Sequence, residues 1–272
     1  MPVINTNVAA IKARSNFERV QREMDQSIAR LSSGKRINTA SDDAGGLAIS
    51  GRLESQVRGL SMQLKNNKDG QAMVDTMEGS MQEITGILQR MRELAVQASS
   101  GIATTADRGY LDTEMEALAD EIQAISVNTK FNETVLFTGA TFSFFADINI
   151  TGTAIITTTL GMETSTLSVE AADVEVGTVA GAIAAIVDID NAISTLADKR
   201  AIMGSISNRM NHVIDNLTNV IANTTAAQSR IQDTDYAVET TALTRATILQ
   251  QAATSMIAQA NANKNSILSL VQ

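Results

Sequence analysis

From Val57 onward, Leu60, Leu64, Asn67, Gln71, Val74, Met77, Met81, Ile84, Leu88, Met91, Ala95 and Ala98 follow one another at alternating steps of three and four, and only the polar pair Asn67 and Gln71 interrupts the apolar line. That spacing keeps a narrow seam on one side of an α-helix. It predicts a single helix roughly 63 Å long at the helical rise per residue. Leu111, Met115, Leu118, Ile122 and Ile125 keep the same steps. Between the two runs SSGIATTADRG reads as a turn, with Gly101 ending the first helix and Thr105 or Asp107 capping the next. The expectation is an antiparallel helical hairpin.

The pattern returns late in the chain through Met203, Ile206, Met210, Val213, Leu217, Val220, Thr224, Ala227 and Ile231, which supplies a third long helix to pack on the hairpin. At the two ends Phe17, Val20, Met24, Ile28 and Leu31 form one stripe, and Leu249, Ala253, Met256, Ala260, Ile267 and Val271 form another. The end segments are therefore coiled-coil partners. Residues 138–180 read differently, as short runs rich in Thr, Val, Ile and Phe (TFSFFADINI, TAIITTTL, TLSVEA and VEV) between Gly or acidic turns. The fold class expected is mainly α: a long-helix coiled-coil bundle formed by the N- and C-terminal parts, with a small β-hairpin region inserted centrally.

Composition narrows the function. The chain has no Cys, no Trp, one His and a single Pro, with 3% aromatic residues. Thiolate chemistry is excluded, and a core poor in rings must be built from Ile, Leu, Val, Met and Ala on helices packed side by side. His212 stands alone, with Asp215 nearest in sequence, and acidic pairs such as Glu114 with Asp120 or Glu121 fall on charged helix faces. Solvation accounts for both better than acid–base catalysis, so neither catalytic residues nor cofactor or metal ligands are assigned. SSGKRINTASDDAGG lacks the spacing of a phosphate-binding loop and reads as a turn-rich linker.

Residues 101–190 carry fourteen acidic and two basic side chains, whereas residues 1–36 carry seven basic and three acidic. The basic segment has mixed charge and no interleaved rings, which argues against nucleic acid. MPVINTNVAA has no basic stretch leading into an apolar core, and nowhere do 18 apolar residues run together. The expectations are no membrane span and export without a cleavable signal peptide.

Residues 237–272 contain only three charges, Glu239, Arg245 and Lys264. The apolar positions there, Ile248, Leu249, Ala252, Ala253, Met256, Ile257 and Ala260 and then Ile267, Leu268, Leu270 and Val271, occupy two neighbouring stripes. One partner helix cannot cover two faces. Further copies of the same chain are the simplest cover, and a repeated contact that does not close builds a helical filament. The assembly residues expected are thus Phe17, Val20, Met24, Ile28, Leu31, Leu249, Met256, Ile257, Ile267, Leu268, Leu270 and Val271.

INTNVAA (4–10), LSSGKRINTASDDAGGLAIS (31–50), LQRMRELAVQ (88–97), NTKFNETVLFTG (128–139), SRIQDTDYAVET (229–240) and ILQQAATSMIAQAN with the closing ILSLVQ resemble, in order, the terminal motifs of bacterial flagellins. Gly45, Thr234 and the pair Lys264-Asn265 depart from the usual pattern. The resemblance implies a non-enzymatic structural subunit of an extracellular filament that serves motility. It also implies an inner coiled-coil domain of residues 1–41 and 233–272 and an outer helical domain of residues 42–232. The partners it implies are other copies of the chain, an export chaperone, the filament cap and hook-associated proteins. LQRMRELAVQ further resembles the segment read by the Toll-like receptor for flagellin, which points to Arg90, Leu94 and Glu114, with Arg90 and Leu94 partly exposed beside the seam. Two other functions fit related patterns: a hook–filament junction protein of the same family, and a helical signalling module of the chemoreceptor type.

Overall fold

The computed structural model describes residues 6–144, 156–161, 167, 169–170 and 174–269. In chain order the elements are helices α1 (Val8–Ser33), α2 (Ala44–Ala98) and α3 (Thr105–Asn128), strands β1 (Lys130–Phe131), β2 (Thr134–Val135), β3 (Thr138–Phe144) and β4 (Ile156–Gly161), then helices α4 (Val179–Gln232) and α5 (Tyr236–Ser269). With 55 and 54 residues, α2 and α4 each extend for roughly 80 Å. Contacts divide the chain into two compact units, Arg58–Ile221 and the combination of Met1–Val57 with Ala222–Gln272. The boundaries expected at 41/42 and 232/233 coincide with turns between helices, whereas the compact units part within α2 and α4.

In the middle unit the seam of α2 is buried as its spacing requires. Val74, Met77, Met81, Ile84, Leu88, Met91, Ala95 and Ala98 join one core with Met115, Ala119 and Ile122 of α3 and with Ala182, Ala185, Ile189, Leu196, Met203 and Met210 of α4. Buried Leu, Ile and Met side chains contribute about 1.5–3 kcal/mol each. Asn67 is buried in the same line and gives its amide N–H to the Gln63 carbonyl at 2.9 Å, so the polar interruption is satisfied within the helix. Among the described residues one helix, α4, is long and apolar enough to cross a membrane by length and composition alone, 28% of that stretch being buried.

Side-chain bonds fix the helix directions. Arg108 reaches the Ala98 carbonyl at 3.2 Å, Arg90 bonds Glu114, and Thr129 gives its hydroxyl to Ser80 at 3.3 Å, so α2 and α3 run antiparallel as expected. Gln71 with Asn211, Glu78 with Arg200 and Arg92 with Asp190 align α4 antiparallel to α2. The cap of α3 is Thr104, not Thr105: its hydroxyl accepts the Asp107 N–H at 3.2 Å while the Asp107 carboxylate accepts the Thr104 N–H at 2.9 Å. The Thr104 hydroxyl also donates to the Asp107 carboxylate at 2.7 Å, and this bond, followed by the one from the Thr104 N–H, lowers the pKa of Asp107. Gly101 lies beyond the end of α2, which stops at Ala98 where the Arg108 guanidinium meets the free carbonyl.

The β region is partly as expected. Strands β3 and β4 pair antiparallel, with Phe142 opposite Thr158 and Ser143 opposite Thr157. VEV is not a strand, because the Val176 N–H is taken by the Asp112 carboxylate at 2.7 Å and Val174 and Val176 drop into the core. Helix α4 already begins at Val179, and the residues its first turns send into the core are the small Ala182 and Ala185. TLSVEA is described only at Leu167, Val169 and Glu170. A smaller hairpin, β1–β2, was not expected: Lys130 pairs with Val135 and Phe131 with Thr134 around Asn132 and Glu133, both at positive φ (49° and 65°). Two left-handed central residues form the tight turn whose twist suits two antiparallel strands.

Candidate assembly surface

The terminal unit is built on a junction where two chain breaks meet. Helix α1 ends at Ser33 because Gly34, at φ 70°, turns its N–H back to the Arg30 carbonyl at 2.9 Å. The break before α5 lies alongside. Lys35 and Asp233 form an antiparallel bridge, Thr234 N–H reaches the Gly34 carbonyl at 3.1 Å, and Arg36 N–H reaches the Gln232 carbonyl at 2.6 Å. The Arg36 guanidinium adds a bond to the Ile231 carbonyl at 2.6 Å.

Asp42 organises the turn between α1 and α2. Its carboxylate accepts N–H bonds from Thr39 and Asn38 at 3.0 and 3.1 Å and an amide bond from Gln26 of α1 at 3.0 Å. These bonds, led by Thr39, hold its pKa at about 2. Asp43 then accepts the Gly46 N–H at 2.9 Å as α2 begins. A Cβ on Gly46 would meet the Asp43 carboxylate and stand 2.6 Å from Ile37 Cδ1, so a larger residue here would push both side-chain ends aside.

From this junction α1 and α5 run away side by side. Arg30 pairs with the buried Glu239 at 3.7 Å, Gln250 gives its amide to Gln21 at 2.6 Å, and Asn7 gives its amide to the Ala260 carbonyl at 3.1 Å. The register of the terminal pair is thereby set at three levels. The antiparallel pairing agrees with the coiled coil expected of the two ends.

Coverage of the expected assembly residues is incomplete in the single chain. Val20 is buried, while Phe17, Met24, Leu31 and Ile257 are half-buried. Ile28 and Leu249 are exposed, and Met256 is 63% exposed. Leu270 and Val271 lie outside the described residues, and Ile267 and Leu268 are described only as backbone of α5. Between the helices Ala9, Ala13, Val20, Leu249, Ala253 and Met256 line an open groove of about 360 Å³. Small residues on its walls allow a further helix to approach closely.

The other expected site is only partly presented. Arg90 lies on the surface of α2 and grips Glu114 of α3 through two bonds at 2.9 and 2.8 Å, with Glu93 at 3.2 Å. The bonds to Glu114, and after them those to Glu93, raise the Arg90 pKa. Leu94 is not partly exposed as expected: it is 1% exposed and belongs to the core. Two helices, α3 and α4, flank α2 here, so the buried strip is wider than the seam and takes in its neighbour.

Sequence reasoning missed the junction residues Arg30, Gly34, Tyr236 and Glu239. A Gly immediately after an amphipathic run was the available signal. The Tyr236 hydroxyl bonds the Leu31 carbonyl at 3.4 Å, a contact that spacing along the chain could not indicate.

The chain matches two family models, the bacterial flagellin N-terminal helical region over residues 4–141 and the bacterial flagellin C-terminal helical region over residues 186–271. It is 36% identical to a flagellin of Halalkalibacterium halodurans over 271 residues, which covers 99% of this chain and 100% of that protein. A flagellar filament core protein of Brachyspira hyodysenteriae is 34% identical over 289 residues, covering 99% and 100%. Flagellin B of Vibrio cholerae is 33% identical over 374 aligned positions, covering 98% and 99%. Among solved structures, a putative flagellar hook-associated protein from Vibrio parahaemolyticus shares the fold, with a TM-score of 0.61 at 13% identity, covering 71% of this chain and 100% of that one.

Proposed function

This chain belongs to the bacterial flagellin family, and we infer from that membership that it is a structural subunit which self-assembles into the extracellular flagellar filament and serves motility. The observation that carries the assembly mechanism is the terminal pair. Helices α1 and α5 hold each other in register yet leave Ile28, Leu249 and Met256 in water. Covering that apolar surface with the terminal helices of neighbouring copies stabilises the polymer by about 25 cal/mol for each Å² removed from water. In this reading residues 1–41 and 233–272 line the filament core, and residues 42–232 form the shell outside it. Phe17, Val20, Met24, Ile28, Leu31, Leu249, Met256, Ile257, Ile267, Leu268, Leu270 and Val271 carry the core contacts.

The same reading includes an export chaperone, the filament cap and hook-associated proteins as partners. It also includes recognition of the free subunit by the Toll-like receptor for flagellin at Arg90 and Glu114, with Leu94 supporting that surface from below. Electron microscopy of the purified chain after seeding with filament fragments tests the main reading. Long filaments of a single protein are expected. A chain that stays monomeric across seeds, salt and precipitant would overturn it.

A further inference from the structure

The chain holds twelve methionines and no cysteine, so all of its sulfur is thioether. Burial divides those sulfurs into two groups. Met77, Met81, Met91 and Met210 of the middle core are wholly enclosed, and Met24 on α1 is half-buried. Among the described residues only Met62 and Met256 are exposed, at 56% and 63%. A dissolved oxidant reaches a thioether through water, so these two side chains take oxygen first in the free subunit.

The two differ in what surrounds them. Met62 has the exposed polar residues Ser61, Lys65 and Asn66 beside it on α2. Met256 lines the groove between α1 and α5 with Ala9, Ala13, Val20, Leu249 and Ala253. The donors on that lining are Lys12, Asn16 and Arg19, all on α1, and Arg19 is held by Glu23 at 3.3 Å. Most of the surface that meets the Met256 sulfur is therefore apolar.

We propose that Met256 is a peroxide-modification site whose oxidation takes the free subunit out of assembly. The Sδ lone pair attacks one oxygen of hydrogen peroxide, the S–O bond forms as the O–O bond breaks, and the second oxygen leaves as water with both hydrogens. Sulfur loses two electrons and peroxide gains them. The sulfoxide is polar and chiral where the thioether was flexible and apolar. In the free subunit its oxygen stays in water, so the monomer keeps its fold. Once a neighbouring helix covers the groove, that oxygen loses its water against alanine, valine and leucine side chains, and the cost recurs in every subunit. A methionine sulfoxide reductase reverses the step: the oxygen leaves as water while two thiols of the reductase become a disulfide. With no cysteine of its own, the chain depends on such an enzyme for the reduction. The proposal rests on the filament reading and adds a chemical control over which subunits enter the polymer.

Partial oxidation followed by seeding tests it. Peptide mass mapping of the peroxide-treated free subunit should show oxygen on Met256 appearing at least about tenfold faster than on Met81 or Met91. When that mixture is seeded with filament fragments, Met256 sulfoxide should be at least about tenfold scarcer in the sedimented polymer than in the supernatant. Treating the supernatant with the two epimer-specific reductases and a dithiol should return its elongation rate to within about threefold of the parent. Met256→Leu, compared with its own untreated rate, should slow less than about twofold at a peroxide dose that slows the parent tenfold, and Met62→Leu should stay as sensitive as the parent. If Met256→Leu does not polymerise, the partition of the parent's sulfoxide decides alone. Loss of helical circular dichroism in the oxidised monomer would place the effect in the fold and overturn the proposal. Met256 sulfoxide entering the polymer in the proportion in which it stays in solution also overturns it, while leaving the filament itself standing. A parent chain that never polymerises, oxidised or not, removes both readings.

Discussion

The middle and terminal units are built from the same kind of helix and end in different states of burial. In the middle unit three helices and a short extended segment share one core, so α2 has neighbours on both flanks and even Leu94 beside the seam is enclosed. Among the described residues of the terminal unit, α1 and α5 have only each other along most of their length, and side chains of the same types stay wet. The number of neighbours, not the amphipathic pattern, separates a self-sufficient fold from one completed by other copies.

The sharpest way to break that comparison is to place charge on the wet surface. Leu249→Asp with Met256→Asp should leave the monomer's melting curve unchanged and abolish filaments, because each subunit would then bury carboxylates in a repeated contact. Sedimentation after seeding reads the result, and normal polymer would mean that α5 is not part of the filament contact.

A core change should do the reverse. Leu88→Ala leaves a cavity among the three helices, and the expected loss is about 2–5 kcal/mol of monomer stability by denaturant unfolding. A loss as small as that of an exposed Leu249→Ala would contradict the contrast between the two units.

Limited proteolysis asks the same question without mutation. Cleavage in the free subunit should fall within α1 and α5 and spare α2 to α4 between Arg58 and Ile221, while the filament protects all of them. Equal protection in both states would show that the terminal pair is stable alone.

The smallest effect expected comes from acid. Asp42 falls from its ordinary 3.8 to about 2 in the folded chain, so its contribution is fully present above about pH 4 and is lost as pH falls through about 2. Monomer melting followed from pH 5 to pH 2 should flatten over that window in Asp42→Asn. An unchanged acid profile would remove the assigned role of this carboxylate in holding the turn to α1.

Most of the helical frame was legible because periodicity is written locally. The seam of α2 from Val74 to Ala98, the antiparallel α2–α3 hairpin and the pairing of the two ends all follow from spacings of three and four. The misreadings share a different origin. Thr104 rather than Thr105 caps α3 because only Thr104 is three residues before Asp107, a one-residue distinction within a run of two threonines. VEV satisfied strand composition, but its central partner is a carboxylate on α3 rather than another strand. The β1–β2 hairpin is too short for alternation to register, and its turn holds Glu133 at a positive φ that favours Gly or Asn.

By itself the sequence determined that this chain forms long helices, that its two ends carry more apolar surface than one partner covers, and that thiol chemistry is absent. Each of these depends on residue type and spacing along the chain. Tertiary structure decided which flanking positions are enclosed and where α1 and α5 are pinned together. Those outcomes depend on how many elements surround a given face, and residues as far apart in sequence as Arg36 and Gln232 meet only once the chain has folded back on itself.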